Sequence, residues 1–186
     1  MKILLIRHSK TILDKNNSSL VWRLSDEGIE LCEKLSNNQY IKNCKAIYSS
    51  FQTKALETAL LLAKPNNISI KPFDNLTETT SVTNGFFANY EEEVKKWHDG
   101  GYRINNGETK EESLNRFNKA IETITTAEIK NDIIGIVSHA NVLAIFSEQF
   151  SNKDSYTIHN SLSMPDIALF DTATKQFISY WGTNHD

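Results

Sequence analysis

Met1-Lys-Ile-Leu-Leu-Ile-Arg-His-Ser-Lys-Thr11 opens the chain, and its reading decides the fold. Ile3, Leu4, Leu5 and Ile6 form an unbroken apolar run that stops abruptly at Arg7-His8. A strand with no polar position in it is one covered on both faces, as in a parallel sheet packed between helices. Its carboxyl end then delivers a guanidinium and an imidazole to the rim of the sheet, where open α/β sheets bind ligands. A cation beside an imidazole points to chemistry on an anion, phosphate first.

Outward from that strand, the order of elements supports the same class. Ser25-Asp26-Glu27-Gly28 predicts a helix start, with Ser25 as N-cap and acidic residues in the first turn. The helix runs to Asn37-Asn38, and Lys45 to Ser50 is a short strand. The three-and-four spacing of Ala55, Leu56, Ala59, Leu60 and Ala63 predicts a helix from Thr53 that Pro65 stops. Ile68 to Pro72 is a third strand. Phe86, Phe87, Tyr90, Val94 and Trp97 form one apolar helical stripe, backed by Glu91/Lys95 and Glu92/Lys96 pairs. Thr109 to Thr126 predicts a long helix with Leu114, Phe117, Ala120, Ile121 and Ile124 inward. Asp132 to Val137 is the second strongly apolar run and also ends at a histidine, His139, with a helix following over 141–150. Residues 165–170 and 176–181 read as two strands of a terminal hairpin. Helices alternating with strands in this way give a single α/β domain over 1–186, a mainly parallel sheet with helices on both faces. The region around 79–107 reads as an inserted lid that sets specificity.

Composition excludes several functions. A net charge of −3 gives no general affinity for nucleic acid or an anionic membrane. No apolar run reaches the roughly 18 residues that a spanning helix needs, and the N-terminus lacks a signal-peptide layout, so the expected location is the cytoplasm. Cys32 and Cys44 make neither a CxxC nor a Cys/His metal pattern and read as free thiols. Of the 20 basic residues only Arg7, Arg23, Arg103 and Arg116 are arginine, so an arginine directly before His8 suggests a need for its planar fork.

Three strand ends carry polar groups of one kind: Arg7-His8, Ser49-Ser50 with Lys54 a turn later, and Ser138-His139. If the strands are parallel neighbours, two imidazoles, a guanidinium and an ammonium meet in one crevice, a strong oxyanion site suited to a histidine nucleophile.

These segments resemble those of the histidine phosphatase superfamily, the family of phosphoglycerate mutases and acid phosphatases. Arg7-His8-Ser9-Lys10-Thr11 resembles its R-H-G-x-T signature, and Ser49 to Ala59 its S-S-x3-R-A-x2-T-A segment. Leu76-Thr77-Glu78 is similar to L-x-E, Gly107-Glu108-Thr109 with Arg116 to G-E-S…R, and Val137-Ser138-His139-Ala140 to V-S-H-G. Asn160-Ser-Leu-Ser163 is similar to a polar segment near the family's end. The resemblance implies a phosphoglycerate mutase-like three-layer α/β/α fold and phosphomonoester hydrolysis through a phosphohistidine on His8. It implies Glu78 as general acid and base, His139 as a catalytic partner, and Arg7, Lys54, Thr11 and Ala140 around the phosphate. It implies no metal and no cofactor. The substrate is then a small phosphorylated metabolite or a phosphoprotein.

The departures bear on strength. Lys54 stands where the family has a second arginine and loses the bidentate fork. Ser9 and Ala140 each replace a common glycine. Asp14 stands where many relatives have asparagine and would repel phosphate unless the loop turns it outward. Glu108 and Glu93 are the alternatives to Glu78, while Arg116 is expected to tie a helix to the fold through a carboxylate. His98, His159 and His185 carry no pattern. The rival functions are a mutase-like phosphoryl transferase and a weakly active or non-catalytic phospho-ligand-binding module. The terminal hairpin leaves two assemblies open, a free edge or a seam between two copies.

Overall fold

The computed structural model describes residues 1–79, 89–128 and 132–182. Phe86 and Phe87 of the predicted apolar stripe lie outside them. Six strands form one sheet: β1 (Lys2–Arg7), β2 (Cys44–Ser49), β3 (Ser69–Pro72), β4 (Ile133–Ser138), β5 (Asp166–Asp171) and β6 (Gln176–Ser179). Their spatial order is β3-β2-β4-β1-β5-β6. β4 is parallel to both β1 and β2, and β3 is parallel to β2. β5 runs antiparallel to β1, and β6 pairs antiparallel with β5 as the terminal hairpin at one edge.

The apolar run of β1 has the cause inferred from its sequence. Ile3, Leu4, Leu5 and Ile6 are all fully buried, and the pleat sends alternate residues to opposite faces. Ile3 and Leu5 join a cluster with Phe117, Ala120 and Leu143; Leu4 and Ile6 join one with Ala55, Ala59 and Leu62. Each such side chain contributes roughly 1.5–3 kcal/mol over an exposed position.

Helices supply those two outer layers. α1 (Asp26–Leu35), the one-turn α2 (Gln39–Lys42) and α3 (Thr53–Ala63) follow β1 and β2. Beyond β3 come α4 (Tyr90–Asp99), α5 (Lys110–Ala127), α6 (Ala140–Glu148) and α7 (Ser155–Ser161). Ser25 caps α1 by accepting from the Gly28 N–H. Thr109 caps α5 through a capping box with Glu112, so this residue lies just outside the helix predicted to begin with it. Of the two α4 ion pairs read from sequence, Lys96 meets Glu92 at 2.8 Å. Val94 and Trp97 are core as expected, whereas Tyr90 stays partly exposed. No helix among the described residues is long and apolar enough to cross a membrane.

α2 and α7 were not legible as helices. Ile41 and Ile158, both fully buried, are their main apolar anchors, too few to give a period. α7 is fixed instead by Asp154, whose carboxylate accepts from the Thr157 N–H and hydroxyl.

Candidate active site

β4 lies between β1 and β2, so all three polar strand ends meet at one rim. Arg7 and Ser138 are partners in the β1–β4 register, and the His8 N–H donates to the Ser138 carbonyl at 3.0 Å. The Ser50 N–H donates to the Val137 carbonyl, tying the end of β2 to the same point. The rings of His8 and His139 thereby stand 5.2 Å apart, tilted by 57°.

His8 Nδ1 lies 2.8 Å from the Ser9 carbonyl oxygen. A carbonyl only accepts, so Nδ1 carries the proton and Nε2 keeps its lone pair. Burial, then Lys54, then Arg7 hold the His8 pKa well below the usual imidazole range. His139 Nε2 pairs with the Ser50 hydroxyl at 2.8 Å, and its Nδ1 is buried without a partner. Burial, followed by His8 and Lys54, keeps His139 neutral as well.

The loop carrying His8 is held from behind. The Ser9 N–H donates to the Thr58 hydroxyl, and the Ser9 hydroxyl donates to the Gly28 carbonyl. Gly28 is needed there, because a Cβ would lie 2.2 Å from the Lys10 carbonyl oxygen. Thr11 bridges to Leu24 and lines the cavity.

Two cations border His8. Arg7 donates through one terminal nitrogen to the Leu162 carbonyl at 2.5 Å, while its Nε is buried without a partner. Lys54, in the first turn of α3, is only 6 % exposed despite its charge. Its ammonium donates to the Ser19 carbonyl at 3.0 Å and sits 5.5 Å from the Trp22 ring centroid. Burial pulls its pKa down to about 8, with Glu78 opposing and Arg7 adding to the shift.

Glu78 is buried at the start of α6. Its carboxylate accepts from the N–H groups of Thr79, Asn141 and Val142 at 2.9–3.3 Å. Burial nevertheless raises its pKa above the usual carboxylate range. Two of the α6 amides, those of Asn141 and Val142, are therefore taken by this carboxylate. Glu108 and Glu93 are engaged elsewhere. Glu108 accepts a bidentate pair from Arg116 at 2.7 and 2.8 Å, and Glu93 pairs with Tyr102 and Lys96. Arg116 also donates to the Asn75 and Thr77 carbonyls, fixing the segment that leads into Glu78. It ties a helix to the fold through a carboxylate, as the sequence reading expected.

Asp14 turns outward. Its carboxylate accepts from Asn16 and Asn17 in its own turn, which lowers its pKa.

A cavity of about 330 Å³ opens over these groups, lined by Arg7, His8, Thr11, Lys54, Glu78 and Ala140 on one side. Leu13, Ser19, Trp22, Tyr90, His159 and Met164 line the rest. His139 lies beneath, against the His8 ring, rather than in the cavity wall. None of the second group was singled out from sequence as a site residue. Trp22, a lone indole in a polar loop, was the available signal for that loop. Tyr90 was hidden in a core-like stripe and His159 in a helix without a period.

The profile of the histidine phosphatase superfamily (branch 1) matches residues 3–169. No curated protein matches the sequence. Solved structures are similar in fold. A phosphoserine phosphatase mutant from Entamoeba histolytica in complex with phosphoserine is 20% identical, with a TM-score of 0.79 over 99% of this chain and 98% of that one. YhfR of Bacillus stearothermophilus is 18% identical, with a TM-score of 0.80 over the same shares. A mycobacterial glucosyl-3-phosphoglycerate phosphatase with inorganic phosphate is 13% identical, with a TM-score of 0.75 over 100% and 97%.

Proposed function

Since the chain belongs to the histidine phosphatase superfamily, we propose that it hydrolyses phosphomonoesters through a phosphohistidine on His8. The observation that carries this reading is the fixed tautomer of His8: Nδ1–H on the Ser9 carbonyl leaves a lone pair on Nε2, beside Arg7 and Lys54. Nε2 attacks phosphorus, and the bond from phosphorus to the ester oxygen breaks. Arg7 and Lys54 hold the phosphoryl oxygens, with Thr11 and Ala140 completing the cradle. The unpartnered Nδ1 of His139 and Nε of Arg7 are the buried polar atoms that a phosphoryl group would satisfy.

Glu78, its carboxyl pKa raised by burial, gives its proton to the departing alkoxide. As carboxylate it then takes a proton from water. The hydroxide attacks phosphorus, the N–P bond breaks, and inorganic phosphate and neutral His8 are released. The charge that phosphoryl transfer needs comes from side chains, so the step as written uses no metal. The buried free thiols Cys32 and Cys44 suit a reducing cytoplasm.

A mutase would need further cations for a second anionic group. Of the three bases in residues 79–107, Lys96 and Arg103 are paired with acidic neighbours, and none of the three lines the cavity. This favours water as the acceptor. The phosphatases similar in fold, named for phosphoserine and a phosphoglycerate ester, put small phosphorylated metabolites first among substrates.

Hydrolysis of p-nitrophenyl phosphate in EDTA, beside a His8→Ala control, tests the reading. Turnover by the parent, its loss in the variant, and an acid-labile, base-stable phosphoryl label are expected. Turnover surviving in His8→Ala would remove His8 as nucleophile; no turnover on any ester would leave a phospho-ligand binder.

A further inference from the structure

The cavity wall is divided by chemistry. Arg7 and Lys54, beside His8, are the only lysine or arginine side chains among the described residues that line it. Both are tied to the His8 end, one through Leu162 and the other through Ser19. A phosphate dianion uses both charges. The rest of the described wall is Leu13, Ser19, Trp22, Met164, the partly exposed Tyr90 and His159, whose pKa burial lowers; the Lys54 ammonium lies over the Trp22 ring at 5.5 Å. Residues 80–88 carry no charged side chain in the sequence. Glu78 adds a carboxyl group to the same wall.

From this division we propose that the preferred substrate is a phosphomonoester of an uncharged alcohol with a flat or apolar stem. The stem lies against Trp22, Leu13 and Met164. An ester carrying a second anion, such as a carboxylate next to the phosphate, is discriminated against. This rests on the phosphatase reading and narrows it.

The physical cause is desolvation without compensation. An unpaired carboxylate moved from water into this cavity loses hydration and gains no cation, while Glu78 faces it. An aryl or alkyl stem loses nothing comparable, and it covers the indole of Trp22. The Trp22 N–H is already committed to the Asp14 and Asn17 carbonyls, which fixes the indole as part of the wall.

Non-hydrolysable probes separate the binding preference from turnover. Benzylphosphonate and 4-carboxybenzylphosphonate are titrated against the protein by tryptophan fluorescence, and hydrolysis of phenyl phosphate is measured beside 3-phosphoglycerate and phosphoserine. The expected result is at least tenfold weaker binding of the carboxylated phosphonate and a similarly lower kcat/KM for the two carboxylated esters. Equal or tighter binding of the carboxylated probe would overturn the inference. In Leu13→Arg, which places a cation on the exposed side of the wall, the tenfold gap should close; a gap left unchanged would argue that missing charge is not its cause. Discrimination in binding with no hydrolysis of any ester would sink the phosphatase reading and leave the binding preference standing.

Discussion

His8 and His139 face each other across the ends of β1 and β4 with ring centroids 5.2 Å apart, and burial holds both below the usual imidazole range. A proton on either ring is opposed first by desolvation and then by Lys54 and Arg7, and on His139 also by His8. The site is therefore a basic cluster kept uncharged at its centre, with the charge confined to its flanks.

Acid stability follows from this. The pKa values of His8, His98, His139 and His159 are all lowered in the folded state, that of His98 to about 3. Above about pH 6.5 these groups are neutral in both states and contribute no pH dependence. Below it the unfolded chain takes up protons that the folded chain refuses, so stability falls as pH falls, by up to about 1.4 kcal/mol per pH unit for each imidazole. Glu78, raised in the folded state, opposes part of that slope at lower pH. Urea unfolding between about pH 7 and 5 should show the loss, and His98→Gln should reduce the slope; a flat profile would contradict the buried neutral rings.

Lys54 makes anion binding sensitive to alkali. With its pKa near 8 in the free protein, raising pH through that value discharges one of the two cations. Inhibition by phosphate or vanadate should weaken by about tenfold between pH 7 and 9.5, roughly one charge-assisted contact. Lys54→Arg should hold its affinity across the same range, since a guanidinium stays charged. An identical decline in that variant would place the titration on another group.

Arg116 acts on Glu78 without reaching the cavity. Arg116→Leu removes the fork on Glu108 and the donors to the Asn75 and Thr77 carbonyls. The expected cost is about 1–3 kcal/mol in stability. The kinetic signature is a kcat loss of about tenfold or more on alkyl phosphates, with p-nitrophenyl phosphate, whose leaving group needs little protonation, far less affected. Equal losses on both would mean that Glu78 is not the proton donor that Arg116 positions.

Gly28→Ala sets two effects against each other. Helix propensity alone favours alanine by about 1 kcal/mol. The new Cβ, however, would sit 2.2 Å from the Lys10 carbonyl oxygen, a contact with backbone that no rotamer relieves. Overpacking of this kind costs about 1–3 kcal/mol, so destabilisation should win. The loop from Ser9 to Thr11 moves with it, and phosphate affinity should drop as well; a more stable variant with unchanged affinity would refute the contact.

The legible part of the structure was the part with a period or a sharp boundary. β1 and β4 announce themselves as apolar runs ending at histidine, and α3 and α5 as repeated three-and-four spacings. The convergence of Arg7, His8, Lys54, Glu78 and His139 depends on β4 falling between β1 and β2; the sequence supported it only on the condition that the three strands are parallel neighbours, which no local pattern encodes. The outer wall was not legible. Trp22, Tyr90, His159 and Met164 come from a loop, a helix end, a helix held by a cap rather than an apolar stripe, and the turn before β5. Their common position is set by packing between distant segments. Asp14 shows the same limit from the other side, because its outward orientation comes from a local turn with Asn16 and Asn17.

The position of β4 also constrains how the chain can fold. β1 and β2 are made first, but no backbone hydrogen bonds join them; each pairs with β4, whose residues 133–138 come after more than two-thirds of the chain. Until that segment arrives, β2 has one exposed edge beside its pairing with β3, β1 has two, and they share no partner. Closing the sheet is thus a late, long-range event, of the kind that slows folding. The two imidazoles first meet in the same step that removes the last unpaired edge between them. A chain stalled before residue 133 would hold His8 on a strand with neither of its neighbours, β4 and β5, in place.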